Sequence, residues 1–300
     1  MSLIDKSGQQ VGSNSQALQV GGDLNIGNTT TEVISICELV VSKQMTAFKK
    51  EAFELAESRA REFGQQIANS LSLEINETIV EKLRNPDIQY SINQAVIQIA
   101  RKGFNEKSDL LKELIVSKMK NDIEETDIII DQALEVTSKL STNEIKFMAL
   151  IYYFRFCLKT IQGINITHIV DSEKDHPIIK TLTLEYCKSV HKTVYSNYDI
   201  DLKRFLGEME TLKKINVFML DIKGCLMSSQ SYTMSYFDLF EKRTGIALSN
   251  DEETFKKEMS TLWNIFQRFG IDSLSSFNQK PLTPIGDVIA QNYLKAHQFI

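Results

Sequence analysis

Apolar residues recur from Ile34 to Leu71 at a spacing of roughly 3.7 residues, which is the period of one face of an α-helix. Charged residues fall between these positions, so the segment is amphipathic. The pattern predicts one long helix of about 40 residues, whose apolar face packs either on its own chain or on other copies. Because the period is nearer 3.67 than 3.5, a bundle of copies would be nearly straight or slightly right-handed. The apolar positions are Ile34, Cys37, Val41, Met45, Phe48, Ala52, Ala56, Ala60, Phe63, Ile67 and Leu71.

Residues that begin and end helices divide the following part of the chain into shorter helical segments. Asn85-Pro86-Asp87 interrupts the long pattern, and we expect Asp87 to cap a helix that closes at Gly103. Ser141 and Thr142 are expected to cap an aromatic-rich helix over residues 145–161. Helical patterns continue towards the end of the chain, which predicts a mainly α fold with a helical bundle as its body.

The C-terminal region has features that are typical of a winged-helix-like domain. Leu274–Phe277 is predicted to form a short strand, and Thr283 with Pro284 is predicted to begin the last helix. If the strand is a wing, Gln279 and Lys280 are the candidates for contacts with DNA.

The first 31 residues, which we call the leader, have a different composition from the rest of the chain. Gln10-Val11-Gly12 recurs as Gln19-Val20-Gly21, and Asn25-Ile26-Gly27 is a looser copy. Such short repeats predict β-rich rungs that are too small to bury a core alone and therefore pair with other copies of the chain. We expect a homo-oligomer, a trimer or a dimer. The predicted oligomerisation residues are Leu18, Val20, Leu24, Ile26, Ile34, Val41, Met45 and Phe48.

The polar connector at residues 164–177 marks a second boundary. The sequence thus predicts the leader at 1–31, a long helix and helical domain at 32–163, and a second helical or winged-helix-like domain at 164–300.

The charge and the apolar runs limit the partners that we expect. A net charge of -5 argues against nucleic acid as the main partner, because such proteins usually carry a basic face. The most apolar run, residues 147–158, contains Arg155 and is too short to span a bilayer. The four cysteines form no Cys-x-x-Cys pair, which favours buried thiols in a reducing compartment. We therefore expect a cytoplasmic protein without a membrane segment in its resting state.

Only weak patterns point to chemistry. His168, Asp171, Asp175 and His176 crowd the polar connector, where carboxylates beside imidazoles would serve as general bases or metal ligands of a hydrolase. Cys187 and His191 share a helix face, but a zinc site needs a second ligand pair and the chain has none. We expect no bound metal and no cofactor.

Four motifs carry a resemblance to an uncharacterised bacterial family. They are Gly21-Gly22-Asp23-Leu24-Asn25-Ile26-Gly27, Asn85-Pro86-Asp87-Ile88-Gln89-Tyr90, Leu140-Ser141-Thr142-Asn143-Glu144-Ile145 and Leu282-Thr283-Pro284-Ile285-Gly286. The leader is also similar to leaders of bacterial conflict-system and phage-defence proteins, which implies a role in such a system. The resemblance brings no catalytic residues with it.

Three functions follow as hypotheses from these observations. The first is a non-enzymatic homo-oligomeric scaffold or sensor in a conflict system, whose partners are its own copies and a protein encoded nearby. The second is a DNA-binding regulator that uses Gln279 and Lys280. The third is a metal-dependent hydrolase that uses the 168–176 cluster.

Overall fold

The computed structural model describes residues 29–44, 50–72, 77–157, 197–227, 252–278 and 280–300, with isolated positions in 182–189 and 235–242. Across these residues the chain is mainly helical, and its β structure is a single antiparallel bridge between Leu226 and Leu282. The predicted mainly α fold is therefore confirmed. The leader that the sequence predicts to be β-rich lies outside the described residues up to position 28, and Thr29 already belongs to a helix.

The chain forms two compact units. The first comprises Met1–Gly103 with Lys118–Lys120, and the second comprises Phe104–Ser117 with Asn121–Ile300. Described residues on both sides of the predicted boundary at 163/164 therefore fall in the same unit.

The described residues of the first unit up to Lys102 form four helices. They are α1 (Thr29–Gln44), α2 (Lys50–Leu71), α3 (Glu77–Arg84) and α4 (Pro86–Lys102).

The prediction of one continuous helix through Ile34–Leu71 is wrong, because α1 and α2 pack side by side. The Arg61 guanidinium donates to Glu38 at 2.7 Å, and a Cβ on Gly64 would lie 3.2 Å from the Ile34 Cα. Glu38 of α1 thus lies opposite Arg61 of α2, whereas the earlier Ile34 lies opposite the later Gly64. The two helices therefore run antiparallel. The apolar face is covered within the chain, since Val41 and Phe63 are buried and Ile34 is half-buried.

The break before α4 is correct in place, but its cap is Asn85 instead of Asp87. The Asn85 side chain accepts from the Asp87 backbone N–H at 2.9 Å, and Pro86 takes the first helical position. Proline fits this position because its missing N–H would have no partner in the first turn. The Asp87 carboxylate instead accepts from the fully buried Lys118 ammonium at 2.7 Å. Gly103 ends the helix as predicted.

The second unit contains shorter helices around an aromatic core. Its elements are most of α5 (Glu106–Lys120), α6 (Glu124–Thr137), α7 (Thr142–Tyr152), a π-helix (Tyr153–Cys157), the helical segment 197–206, a 3-10 turn (Met209–Thr211), α8 (Val217–Ile222), α9 (Glu252–Glu258), α10 (Ser260–Phe269), α11 (Leu274–Asn278) and α12 (Pro284–Ala296).

Aromatic rings from several of these helices meet in the core. The Phe277 ring lies 4.5 Å from the Phe266 ring and 5.7 Å from the Phe154 ring, measured between centroids. Leu274 and Phe277 belong to the helix α11, so the predicted strand at Leu274–Phe277 is wrong. Both end residues are buried, and a spacing of three places them on one face of a helix, whereas a strand would turn them to opposite faces.

Candidate ligand pocket at the π-helix

Most residues that the sequence put forward for chemistry lie outside the described part of the chain. This holds for His168, Asp171, Asp175, His176, Cys187, His191 and Gln279, and for the assembly residues Leu18, Val20, Leu24, Ile26, Met45 and Phe48. Lys280 is described and half-buried, and its carbonyl accepts from the Tyr236 hydroxyl at 2.9 Å. The Lys280 backbone is therefore linked to the buried Tyr236 side chain.

The aromatic run after α7 departs from α-helical geometry. Helix α7 begins at Ser141 as predicted, with a capping box between Ser141 and Glu144. Residues Tyr153–Cys157 then form a π-helix, in which Tyr153 and Phe154 are buried and their rings touch edge to face at 5.7 Å. π-Helical turns are rare in proteins, and those that do occur are frequently found at functional sites.

A pocket of about 430 Å³ opens at the end of this π-helix. Its walls come from α7, the π-helix, the segment 197–206 and the last residues of the chain. The lining residues are Tyr152, Phe156, Cys157, Asp201, Arg204, Phe299 and Ile300. A concave site with aromatic walls and a few polar groups is typical of small-molecule binding.

The rings of the pocket are held in place by contacts with neighbouring rings. The ring centroids of Tyr152 and Phe156, which are about one helical turn apart along the chain, lie 4.6 Å from each other. The Phe299 ring packs edge-on against Tyr153 at 5.5 Å and against Phe205 at 5.4 Å. Phe156 keeps 46% of its surface exposed, and the Arg155 guanidinium lies 4.6 Å from the centre of its ring.

Two side chains of the pocket, Asp201 and Arg204, carry opposite charges and lie three residues apart on the segment 197–206. The Tyr153 hydroxyl donates to Asp201 Oδ2 at 3.3 Å. Burial first, and then the Asp201 charge, raises the pKa of Tyr153, so this hydroxyl keeps its proton. The Arg204 guanidinium donates to the Gln298 carbonyl at 2.6 Å and lies 5.9 Å from the centre of the Phe299 ring.

An ion pair lies near the pocket. Arg155 Nη1 is 3.2 Å from Asp287 Oδ2, and both side chains are about a quarter exposed. Asp287 Oδ1 is buried and has no hydrogen-bond partner in the described structure. Burial raises the pKa of Asp287 to about 6, against the opposing charge of Arg155. Burial likewise raises the pKa of Tyr152 to about 12, so its hydroxyl is protonated at neutral pH.

The raised pKa of Asp287 predicts a pH dependence of stability. The Asp287 carboxyl has a pKa of about 6 in the folded protein and an ordinary value of 3.8 when unfolded. Its contribution to stability is therefore full below pH 3.8 and is lost as the pH rises through about 6. Between pH 4 and 7 the wild type should therefore lose stability relative to Asp287→Asn. Urea unfolding can be followed by fluorescence of Trp263, which is the one tryptophan of the chain and lies in the second unit.

The matched control is Asp272→Asn, which changes an exposed carboxyl of the same unit. This variant should follow the pH profile of the wild type. A constant difference between wild type and Asp287→Asn across the whole range would contradict the assignment.

The pocket is poorly suited to a divalent metal. Among its lining side chains, Cys157 and Asp201 are of the types that usually bind such ions, and a stable protein site generally has more ligands. The Arg204 cation, which lines the same pocket as Asp201, further disfavours a second positive charge.

The sequence did not predict the pocket, because Tyr152 and Phe156 belong to a run that also fits a core helix and Phe299 is distant from it in the chain. The spacing of Asp201 and Arg204 was the available signal, but acid–base pairs at this spacing are common on exposed helices.

No described helix combines the length and the apolar character that crossing a membrane requires. No curated protein and no solved structure matches the chain. A family model matches residues 27–298 and so covers the described part of the chain except Phe299 and Ile300, whereas the leader before residue 27 lies outside it. The chain belongs to this family, whose members are uncharacterised proteins.

Proposed function

We propose that the protein is a non-enzymatic homo-oligomeric scaffold or sensor, in which the π-helix pocket binds a small ligand and the leader joins copies of the chain. The observation that carries the proposal is the pocket itself. It presents exposed ring surface beside a carboxylate and a guanidinium, each held by a separate protein group. Fixed rings and charges in a concavity favour recognition of a ligand.

The roles of the ion-paired groups in the second unit support binding over catalysis. Glu144 pairs with Lys223 at 2.6 Å, and Glu106 pairs with Lys146 at 2.9 Å. These groups hold helices of the second unit together. Burial also raises the pKa of Cys225 to about 12, which keeps this thiol protonated and therefore a poor nucleophile.

The assembly part of the proposal is based on the sequence of the leader. Its repeated Gln-Val-Gly units carry alternating apolar residues but bury too little surface to fold alone. Pairing between chains supplies the missing main-chain hydrogen bonds. The role in a bacterial conflict system rests on the similarity of the leader and stays a prediction.

The two alternative functions have less support. DNA recognition through a wing requires a strand at Leu274–Phe277, and these residues are helical. The hydrolase hypothesis depends on the 168–176 cluster, which lies outside the described residues.

A thermal-shift panel tests the pocket. The full-length wild type and Arg204→Gln would be heated with amino acids, nucleotides, sugars, sugar phosphates and dicarboxylates. A ligand at a hundredfold excess over its Kd stabilises the folded state by about 2.7 kcal/mol, which raises the melting temperature by several degrees. We expect at least one class to stabilise the wild type and not Arg204→Gln. Equal shifts for both proteins with every class, or no shifts at all, would contradict the proposal.

A further inference from the structure

We propose that the π-helix pocket binds a zwitterionic small molecule with a planar apolar side group, which is the chemistry of a free aromatic α-amino acid. This inference rests on the proposed function, because it assigns a ligand class to the same pocket. Three features carry it: the separation of two opposite charges, the hydrogen-bonding capacity that they retain, and the ring surface beside them.

The charges of Asp201 and Arg204 are held apart although they lie three residues apart on one helical segment. Side chains at this spacing are neighbours on a helix surface, and opposite charges there usually pair. Asp201 instead accepts from Tyr153, and Arg204 instead donates to the Gln298 carbonyl. A fixed pair of separated opposite charges is complementary to a ligand that carries both an ammonium and a carboxylate.

Both groups keep capacity for a ligand. The Arg204 guanidinium has five N–H donors, and its one hydrogen bond in the described structure goes to Gln298. The remaining donors suit a carboxylate, which arginine binds in a forked arrangement. Asp201 Oδ2 accepts from Tyr153, so Oδ1 is the oxygen that remains to accept from an ammonium group.

The rings give the ligand a place for its apolar part. Tyr152, Phe156 and Phe299 line the same pocket as the two charges, and Phe156 is nearly half exposed. Aromatic side groups pack on such rings in offset or edge-to-face arrangements. The volume of about 430 Å³ is near the lower end of ligand pockets, which favours one small molecule over a polymer.

The same geometry argues against ligands with one kind of charge. A nucleotide or sugar phosphate would bring its negative charges close to the Asp201 carboxylate. A simple amine would leave the Arg204 guanidinium without an anionic partner. A zwitterion supplies an opposite charge to both side chains at once.

Isothermal titration calorimetry on the full-length protein tests the ligand class. The probes are L-phenylalanine and L-tyrosine, with 3-phenylpropionate, phenethylamine and AMP as comparisons. We expect an amino acid to bind, and the analogues that lack the ammonium or the carboxylate to bind about tenfold more weakly or worse. This comparison uses the wild type alone, so it does not depend on whether any variant folds.

Variants locate the site. Asp201→Asn and Arg204→Gln should each weaken amino-acid binding by about tenfold or more. Lys203→Gln is the matched control, since it removes an exposed charge between them, and it should bind like the wild type. Trp263 fluorescence reports whether each variant is folded.

The outcomes separate this inference from the proposed function. If AMP or another panel member binds in an Arg204-dependent way while the amino acids do not, the ligand class is wrong and the sensor proposal stands. If phenylpropionate binds as tightly as phenylalanine, the zwitterion inference is likewise overturned. If no compound binds in an Arg204-dependent way, both fail.

Discussion

Replacing Gly286 with alanine should destabilise the second unit by about 3 kcal/mol, because the added methyl group has no room. A Cβ at this position would overlap the Cys225 carbonyl oxygen and lie 3.2 Å from the Cys225 carbonyl carbon. The obstacle is backbone, which cannot rotate away as a flexible side chain would. It is also fixed by hydrogen bonds, since the Thr283 N–H donates to the Cys225 carbonyl at 3.1 Å and the Thr283 hydroxyl donates to the Gly224 carbonyl at 2.6 Å.

Urea unfolding monitored by Trp263 measures the effect. Gln291→Ala is the matched control, because it places alanine at a half-buried position of the same helix, and it should change stability by no more than about 0.5 kcal/mol. Equal stability of Gly286→Ala and Gln291→Ala would contradict the close approach of Gly286 to the Cys225 carbonyl.

The second large effect is expected for Glu144→Gln, which should cost about 3 kcal/mol by leaving the Lys223 ammonium buried without its counter-ion. Lys223 donates to Glu144 Oε1 at 2.6 Å, and both side chains are at most 15% exposed. The other oxygen, Oε2, accepts from the Ser141 N–H at 2.6 Å. Burial works to raise the pKa of Glu144, but the hydrogen bonds from Lys223 and Ser141 prevail and lower it.

The lowered pKa sets the pH window of this effect. A carboxyl whose folded pKa lies below its ordinary value of 4.5 stabilises the fold above that value and loses the contribution as the pH falls through the folded pKa. The difference between wild type and Glu144→Gln should therefore be full at pH 7 and shrink in acid below about pH 4.5.

Two further variants control this prediction. Glu135→Gln breaks an ion pair of the same 2.6 Å length, but there both side chains are more than half exposed, so the expected cost is at most about 0.5 kcal/mol. Adding Lys223→Met to Glu144→Gln should recover stability, since it removes the unpaired charge. A Glu144→Gln variant as stable as Glu135→Gln would refute the structural role of the pair.

Local signals at helix ends predicted the fold well where the cap chemistry is short-ranged. Ser141 caps α7, and Thr283 with Pro284 begins α12, because a hydroxyl reaches the first-turn N–H groups without help from the rest of the chain. The position of the break at Asn85-Pro86 was equally visible. The choice between Asn85 and Asp87 was missed, although a proline at the first helical position makes its predecessor the cap.

Features that depend on distant residues were not predictable from local patterns. The apolar stripe from Ile34 to Leu71 keeps helical phase through its middle, so periodicity alone did not show that α1 and α2 fold back on each other. Leu274 and Phe277 suit a strand or a helix, and the aromatic core decides between them. The pocket joins Tyr152 to Asp201 and Phe299, and no sequence period connects these positions.

Native mass spectrometry of the full-length protein tests the central claim most directly, because one spectrum reports both the number of subunits and any bound small molecule. The wild type should appear as a trimer or dimer, and L-phenylalanine or L-tyrosine should add its own mass to each subunit. A chain that starts at Thr31, and the double variant Val20→Asp with Ile26→Asp, should lose the assembly and keep the ligand. Arg204→Gln should keep the assembly and lose the ligand. A monomeric wild type to which no compound of the panel adds mass would contradict the account.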